Sequence, residues 1–194
     1  MPTPVSDLAK QTPQTTYGMT KVMCELMLND HTRKGHFAGR SARLPTVIIR
    51  PGKPNAAASS WASGMFREPL NGETCDLPVR RDQPHPMTGF RTVVESFIAL
   101  HEVPEERLGD DRAYGLPAHQ VTPALAETVL SELAGEKKLA LGQVADAFDP
   151  RIQAIVDNWP TAVDGSRAVT LGLPEPPPVK QIVEQYLEVF GQVE

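Results

Sequence analysis

Proline stands at 19 of the 194 positions, about twice ordinary usage, and it is spread along the whole chain. Proline removes a backbone donor and breaks a helix interior, so its spread argues against long uninterrupted helices and rules out a coiled coil. Leu, Ile, Val and Phe fill 46 of the 194 positions, above the ~20% below which chains tend to stay disordered. The length suits one domain, or one domain with an annex.

Between the prolines, helical and strand-like patterns follow one another. Residues 1–15, rich in Pro, Thr, Gln and Ser, read as an irregular leading segment. From Thr16 to about Lys34 the residues Met19, Val22, Met23, Leu26 and Met27 fall at spacings of three and four, a stripe along one helical face, and Gly35 supplies the stop. The β-branched run from Ala42 to Arg50 reads as one buried strand ending in the turn Pro51-Gly52. A helix around Met65, Phe66 and Leu70 is expected within 56–71, then a strand from Cys75 to Val79 closed by polar residues 80–84. Val93, Val94, Phe97, Ile98 and Leu100 mark a helix over 88–101, and Ala113 to Pro117 a strand. Thr122-Pro123 begins a capped helix carrying Leu125, Val129, Leu130 and Leu133, with Gly135 as its end. Ile152, Ile155 and Val156 mark another over 149–158. After the linker Pro176-Pro177-Pro178, Val179 to Phe190 form an amphipathic helix with Ile182, Val183, Tyr186, Leu187 and Phe190 on its buried side. There is no internal repeat.

Several function classes are disfavoured. No stretch approaches about 18 apolar residues, and the N-terminus lacks a basic region followed by an apolar run, so the chain reads as cytoplasmic, with no membrane partner. Cys24 and Cys75 are expected to be two reduced thiols. His31 and His36 are five apart, not the four that brings two imidazoles onto one helical face, so no metal site is expected. Trp61 and Trp159 lack basic-aromatic surroundings and read as packing residues; no nucleic acid partner is expected. His85, between Pro84 and Pro86, is expected in a loop. The net charge of −5 is uneven: residues 1–91 hold 12 Lys/Arg against 7 Asp/Glu, and residues 92–194 hold 7 against 17. Anionic ligands belong with the first half.

Tyr17 and Lys21 are the most informative pair. At i and i+4 on a helix they share one face, about 5–6 Å apart at Cβ. A free tyrosine ionises near pH ~10, and a neighbouring ammonium lowers that pKa by favouring the phenolate, giving a usable general base. Many helices show this spacing by accident, so its weight comes from the surroundings. The run Thr16-Tyr17-Gly18-Met19-Thr20-Lys21 leads a helix, a strand follows and ends at Arg50-Pro51-Gly52, and Val93-Val94-Glu95 and Ser166-Arg167-Ala168 preceding Leu171-Gly172 come later. In these features the sequence resembles the C-terminal portion of the extended short-chain dehydrogenase/reductase family, also called the NAD-dependent epimerase/dehydratase family.

That resemblance implies an α/β fold: a truncated Rossmann-like domain over 1–55, and over 56–194 mainly a small substrate-binding region with segments returning to the first. It implies NAD as cofactor and oxidation of a secondary alcohol of a four-carbon sugar acid to a ketone. Tyr17 would be the general base, and Lys21 would lower its pKa and hold the nicotinamide ribose. Pro51 and Gly52 would let the backbone approach the nicotinamide, since glycine has no side chain to obstruct it. Asn55, Ser59 and Arg80 would contact substrate. Arg80 suits a carboxylate through paired hydrogen bonds, although a solvated charged turn reads equally well, and Ser59-Ser60 is also ordinary capping composition.

The departure from the family is large. No glycine cluster of the G-x-G-x-x-G kind follows a strand anywhere in these residues, so the phosphate cradle is expected to be missing along with the whole glycine-rich N-terminal half. The strand around Val47 is expected to lose edge partners, and the chain to associate, either as a homo-oligomer or with that missing half. The isolated chain is expected to be inactive. Two other functions stay open: nucleotide-sugar epimerisation by the same Tyr/Lys machinery, and a non-catalytic interaction module.

Overall fold

The computed structural model describes residues 3–55 and 57–191. Helix α1 spans Thr16–Arg33. The Thr15 hydroxyl oxygen caps it by accepting from the Gly18 amide at 3.0 Å, and Gly35 turns the chain away with φ +76°.

The run expected as one strand is two. Strand β1 (Ser41–Arg43) and strand β2 (Thr46–Ile48) are separated by Leu44 and Pro45. Pro45 has no amide to give to a ladder, and at this break the chain passes from one sheet to another. β1 pairs in parallel with β5 (Ala113–Gly115), while β2 pairs in parallel with β4 (His85–Gly89), which pairs antiparallel with β6 (His119–Val121). A third parallel pair joins β3 (Cys75–Leu77) to β7 (Val144–Asp146). The fold is therefore α/β with short, mainly parallel pairings. β1 and β2 each keep one open edge among the described residues, yet Ile48 and Ile49 are completely buried.

His85, expected in a loop, lies on β4, all of whose residues are buried. The register explains how a proline fits there. β2 covers β4 only from Met87 to Gly89, so Pro86, opposite Gln120 of β6, has a neighbour on one side only and needs no second donor. Strands β6 and β7 were not expected from the sequence, being three residues long and too short for periodicity to register.

Helices α2 (Ser60–Leu70), α3 (Phe90–Glu102), α5 (Pro150–Val156) and α7 (Val179–Phe190) fall where the patterns placed them, and α6 (Ser166–Leu171) is a short addition. α4 (Pro123–Lys137) starts as expected, the Thr122 hydroxyl oxygen accepting from the Leu125 amide at 3.1 Å. It runs past Gly135 and stops at Lys138, whose φ of 56° is left-handed. Helices α2, α4 and α7 close over β2, β3 and β4 around Ile48, Phe66, Leu77, Met87, Leu130 and Ile182. The fit is close: a Cβ on Gly89 would stand 3.2 Å from the Ile182 side chain. A smaller core gathers Val93, Leu100, Leu108, Tyr114, Leu116 and Leu173.

Helix α1 belongs to neither core; none of its residues is buried. Its docked side is polar. Glu25 accepts from Arg43 Nε at 2.9 Å and Nη2 at 2.8 Å, Asn29 Oδ1 from the Arg112 amide at 3.3 Å, and Thr32 Oγ1 from the Gly39 amide at 3.0 Å. Positions 25, 29 and 32 form one row along the helix. The apolar stripe lies opposite, with Met19, Met23, Leu26 and Met27 between 45% and 61% exposed. The leading segment is irregular but anchored. Val5 bridges to Val163, and the buried Asp7 accepts from the Gly115 amide at 2.7 Å and Arg167 Nη1 at 3.2 Å.

Candidate functional site

Tyr17 occupies the first turn of α1, with Lys21 one turn along. The Lys21 ammonium lies 5.4 Å from the centre of the Tyr17 ring. The two continue the row of Glu25, Asn29 and Thr32, so they project from the docked side of the helix at its N-terminal end. There the row runs beyond its contacts: Tyr17 is 73% exposed and Lys21 is exposed. No side chain of this chain hydrogen-bonds the phenol oxygen among the described residues.

Pro51 and Gly52 follow β2 and are exposed. Gly52 has φ +100°, and the space where a Cβ would point is open, so backbone is presented there without a side chain in the way. The chain then enters a turn made by Asn55, whose Oδ1 accepts from the Ala57 amide at 2.9 Å and whose own amide donates to Ser60 Oγ at 3.1 Å. Ser59 stands at the N-cap position of α2, half-buried, with its hydroxyl making no capping bond.

A cleft of about 450 Å³ opens between this turn, α2, β3 and α5. Asn55 lines it, together with Ser60, Trp61, Gly64, Glu68, Cys75, Asp76, Ile152 and Ile155. Ser59 and Arg80 are not among its walls. The Arg80 guanidinium is exposed and engaged by its own chain: Nη2 donates to Asp157 Oδ1 at 3.1 Å and to Gln83 Oε1 at 3.3 Å, and Nε lies 3.6 Å from Asp82. Gln153, which donates to Asp157 at 2.7 Å, and then Arg80 hold the Asp157 carboxyl below the usual range. Sequence reasoning missed Trp61, Glu68 and Asp76 as cleft residues. Their one available signal was the i, i+7 spacing of Trp61 and Glu68 on α2, which an ordinary buried helix face would show as well.

Three further side chains sit differently from their sequence reading. His85 is buried between Trp61 and Trp159, ring centres 5.7 and 5.4 Å away, with Nε2 2.7 Å from Thr46 Oγ1, and burial pushes its pKa down to about 4. His31 and His36 meet after all, Nδ1 to Nδ1 at 2.9 Å, because α1 ends at Arg33 and the turn at Gly35 folds the chain back; helical spacing no longer applies across it. No cluster of three or more His, Cys, Asp or Glu suited to a metal occurs among the described residues, and no helix there is long and apolar enough to cross a membrane.

No family model matches the chain. Single relatives do. It is 38% identical to the D-erythronate dehydrogenase of Haemophilus influenzae over 97% of its own length and 59% of that protein. It is equally identical to the D-erythronate dehydrogenase of Cupriavidus necator over 98% of its own length and 58% of that protein. The crystal structure of a nucleoside-diphosphate-sugar epimerase from Agrobacterium tumefaciens superposes on all of the chain with a TM-score of 0.89 at 34% identity, using 57% of the epimerase. The chain thus spans a little under three fifths of the length of these two dehydrogenases. By sequence and by fold, the chain is similar to these dehydrogenases and to this epimerase over nearly all of itself and over part of them.

Proposed function

We propose that the chain carries the proton-transfer part of an NAD-dependent oxidoreductase that oxidises a secondary alcohol of a sugar acid, D-erythronate or a close analogue, to a ketone. The observation that carries this reading is the open Tyr17–Lys21 pair, one turn apart and unencumbered at the phenol oxygen, in a chain 38% identical to D-erythronate dehydrogenases. Tyr17 Oη takes the hydroxyl proton as general base. The Lys21 ammonium, 5.4 Å from the centre of the Tyr17 ring, binds the ribose hydroxyls beside it. NAD, when bound, supplies the hydride acceptor.

The residues present fit the nicotinamide end of that cofactor: Pro51 and Gly52 offer exposed backbone at a position open to close approach. They do not extend to its diphosphate, for which the 194 residues hold no glycine-rich turn between a strand and a helix. In this reading, residues 1–55 are the end of the dinucleotide-binding domain, and residues 56–194 mainly shape the substrate side. Asn55 and Ser59 meet substrate hydroxyls, and Arg80 meets a substrate carboxylate by exchanging its bond to Asp157. The separate 194-residue chain neither binds NAD tightly nor turns over.

The test is a protein completed with the dinucleotide-binding half of a relative. Tyr17→Phe should lower kcat at least about a hundredfold, the scale of lost general base catalysis, with folding intact. Unchanged turnover ends the proposal, and a micromolar NAD affinity of the separate chain by calorimetry ends the part concerning its inactivity. The Agrobacterium structure favours a second reading, epimerisation of a nucleotide-linked sugar, which the same completed protein tests with nucleotide sugars as substrates.

A further inference from the structure

Two residues that line the cleft beside α2 each carry a polar atom without a hydrogen-bond partner among the described residues. Trp61 Nε1 and Glu68 Oε2 are both buried and unpaired, on residues 4% and 5% exposed. They belong to one face of α2, two turns apart, with Gly64 between them. The glycine leaves the carboxylate its space: a Cβ there would stand 3.1 Å from Glu68 Oε2 and 3.5 Å from Cys75 Sγ. The other carboxylate oxygen is committed, since Arg67 Nη2 donates to Glu68 Oε1 at 2.5 Å while Arg67 Nη1 donates to the Arg50 carbonyl at 3.0 Å. Arg67 therefore fixes the carboxylate and leaves one oxygen open.

An unpaired buried donor and an unpaired buried acceptor both cost stability until something completes them. The lining holds two carboxylates, Glu68 and Asp76, and neither lysine nor arginine; Arg67 behind the wall balances Glu68, so Asp76 is the charge that disfavours an anionic group there. An ammonium could donate to Glu68 but could not accept from the indole. A neutral hydroxyl does both.

We propose that this cleft binds the hydroxylated, uncharged end of a polyol chain, whose hydroxyls donate to Glu68 Oε2 and accept from Trp61 Nε1. Taken with the reading above, on which the identification with a sugar acid rests, this directs the carboxylate of the substrate away from the cleft and makes Glu68 and Trp61 the residues that select its hydroxylated end.

The probe is erythritol, a neutral four-carbon polyol, titrated into the 194-residue chain labelled with nitrogen-15. Tartrate, a four-carbon chain with a carboxylate at each end, is the comparison. Erythritol should move the indole N–H resonance that Trp61→Phe removes, and tartrate should leave it in place. Glu68→Gln, which still accepts from Arg67 but turns the open position into a donor, should weaken erythritol about tenfold, the scale of one hydrogen bond to a charged group. Gly64→Ala should weaken it independently by crowding Glu68, which keeps the test decisive if the first variant does not fold. An unmoved resonance, equal binding of tartrate, or unchanged affinity in the folded variants overturns the proposal. Erythritol binding without turnover in the completed protein defeats only the functional reading, and turnover without erythritol binding defeats only this inference.

Discussion

Helix α7 carries Ile182, Val183 and Tyr186 along one face and buries all three in the larger core, whereas helix α1 carries Met19, Met23, Leu26 and Met27 just as regularly and buries none. The two differ in what lies opposite. α7 meets α4 and β4, close enough that Gly89 cannot gain a methyl without pressing on Ile182. α1 is held from its other side by Glu25, Asn29 and Thr32, through hydrogen bonds to Arg43, Arg112 and Gly39. An apolar stripe states which face of a helix would gain from burial. Whether it is buried depends on a partner located elsewhere, and each methylene gains its ~0.8 kcal/mol only when that partner exists.

Each of the two regions holds one cysteine, which gives the widest expected contrast. Cys24 on α1 is exposed; Cys75 on β3 is buried, and its thiol is pushed up to about 12, by burial first and by Glu68 and Asp76 after it. In the native protein, Cys24 should react with an alkylating reagent on the order of a thousandfold faster or more, with Cys75 following only under denaturant. Comparable rates, read by mass spectrometry of the peptides, would break the contrast.

Core truncation comes next. Ile182→Ala should cost about 2–5 kcal/mol in denaturant unfolding. A protonation effect of similar size belongs to the same packed region. His85 is held at about 4 by burial, and its ordinary value is 6.5, so as the pH falls between those values the unfolded chain takes up a proton that the native state refuses. Stability should therefore drop by roughly 3 kcal/mol across that window, and His85→Gln should flatten the slope. The smallest effect is on α1: Leu26→Ala should change stability by less than about 0.5 kcal/mol. A cost near that of Ile182→Ala would show that the stripe is covered in solution.

Much of the helical framework was readable in advance because its signals are local. Thr15 and Thr122 cap the helices they precede, and the triple proline delivers the chain to α7 at Val179. The strands were read less well. The run from Ala42 to Arg50 shows a strand pattern throughout, but Pro45 divides it between two sheets whose other members lie 40 or more residues later. The prolines beside His85 are visible in the sequence and point to a loop, while the one-sided pairing that accommodates Pro86 is not visible there. At the candidate site, the Tyr17–Lys21 pair needs only one helical turn and was legible. The cleft of Trp61, Glu68 and Asp76 was not, since it forms only when α2 closes against β3 and α5.

The sequence by itself determined the helices with local caps and stops, the spacing that sets Tyr17 beside Lys21, and the absence of a glycine-rich turn among these residues. Tertiary structure alone decided which side of α1 is docked, how the short strands are shared among three sheets, and where Glu68 leaves an oxygen unpaired. Capping and helical spacing act within a few residues of chain. Burial, strand pairing and an unmet hydrogen bond are relations between distant segments, and they have no value until those segments meet.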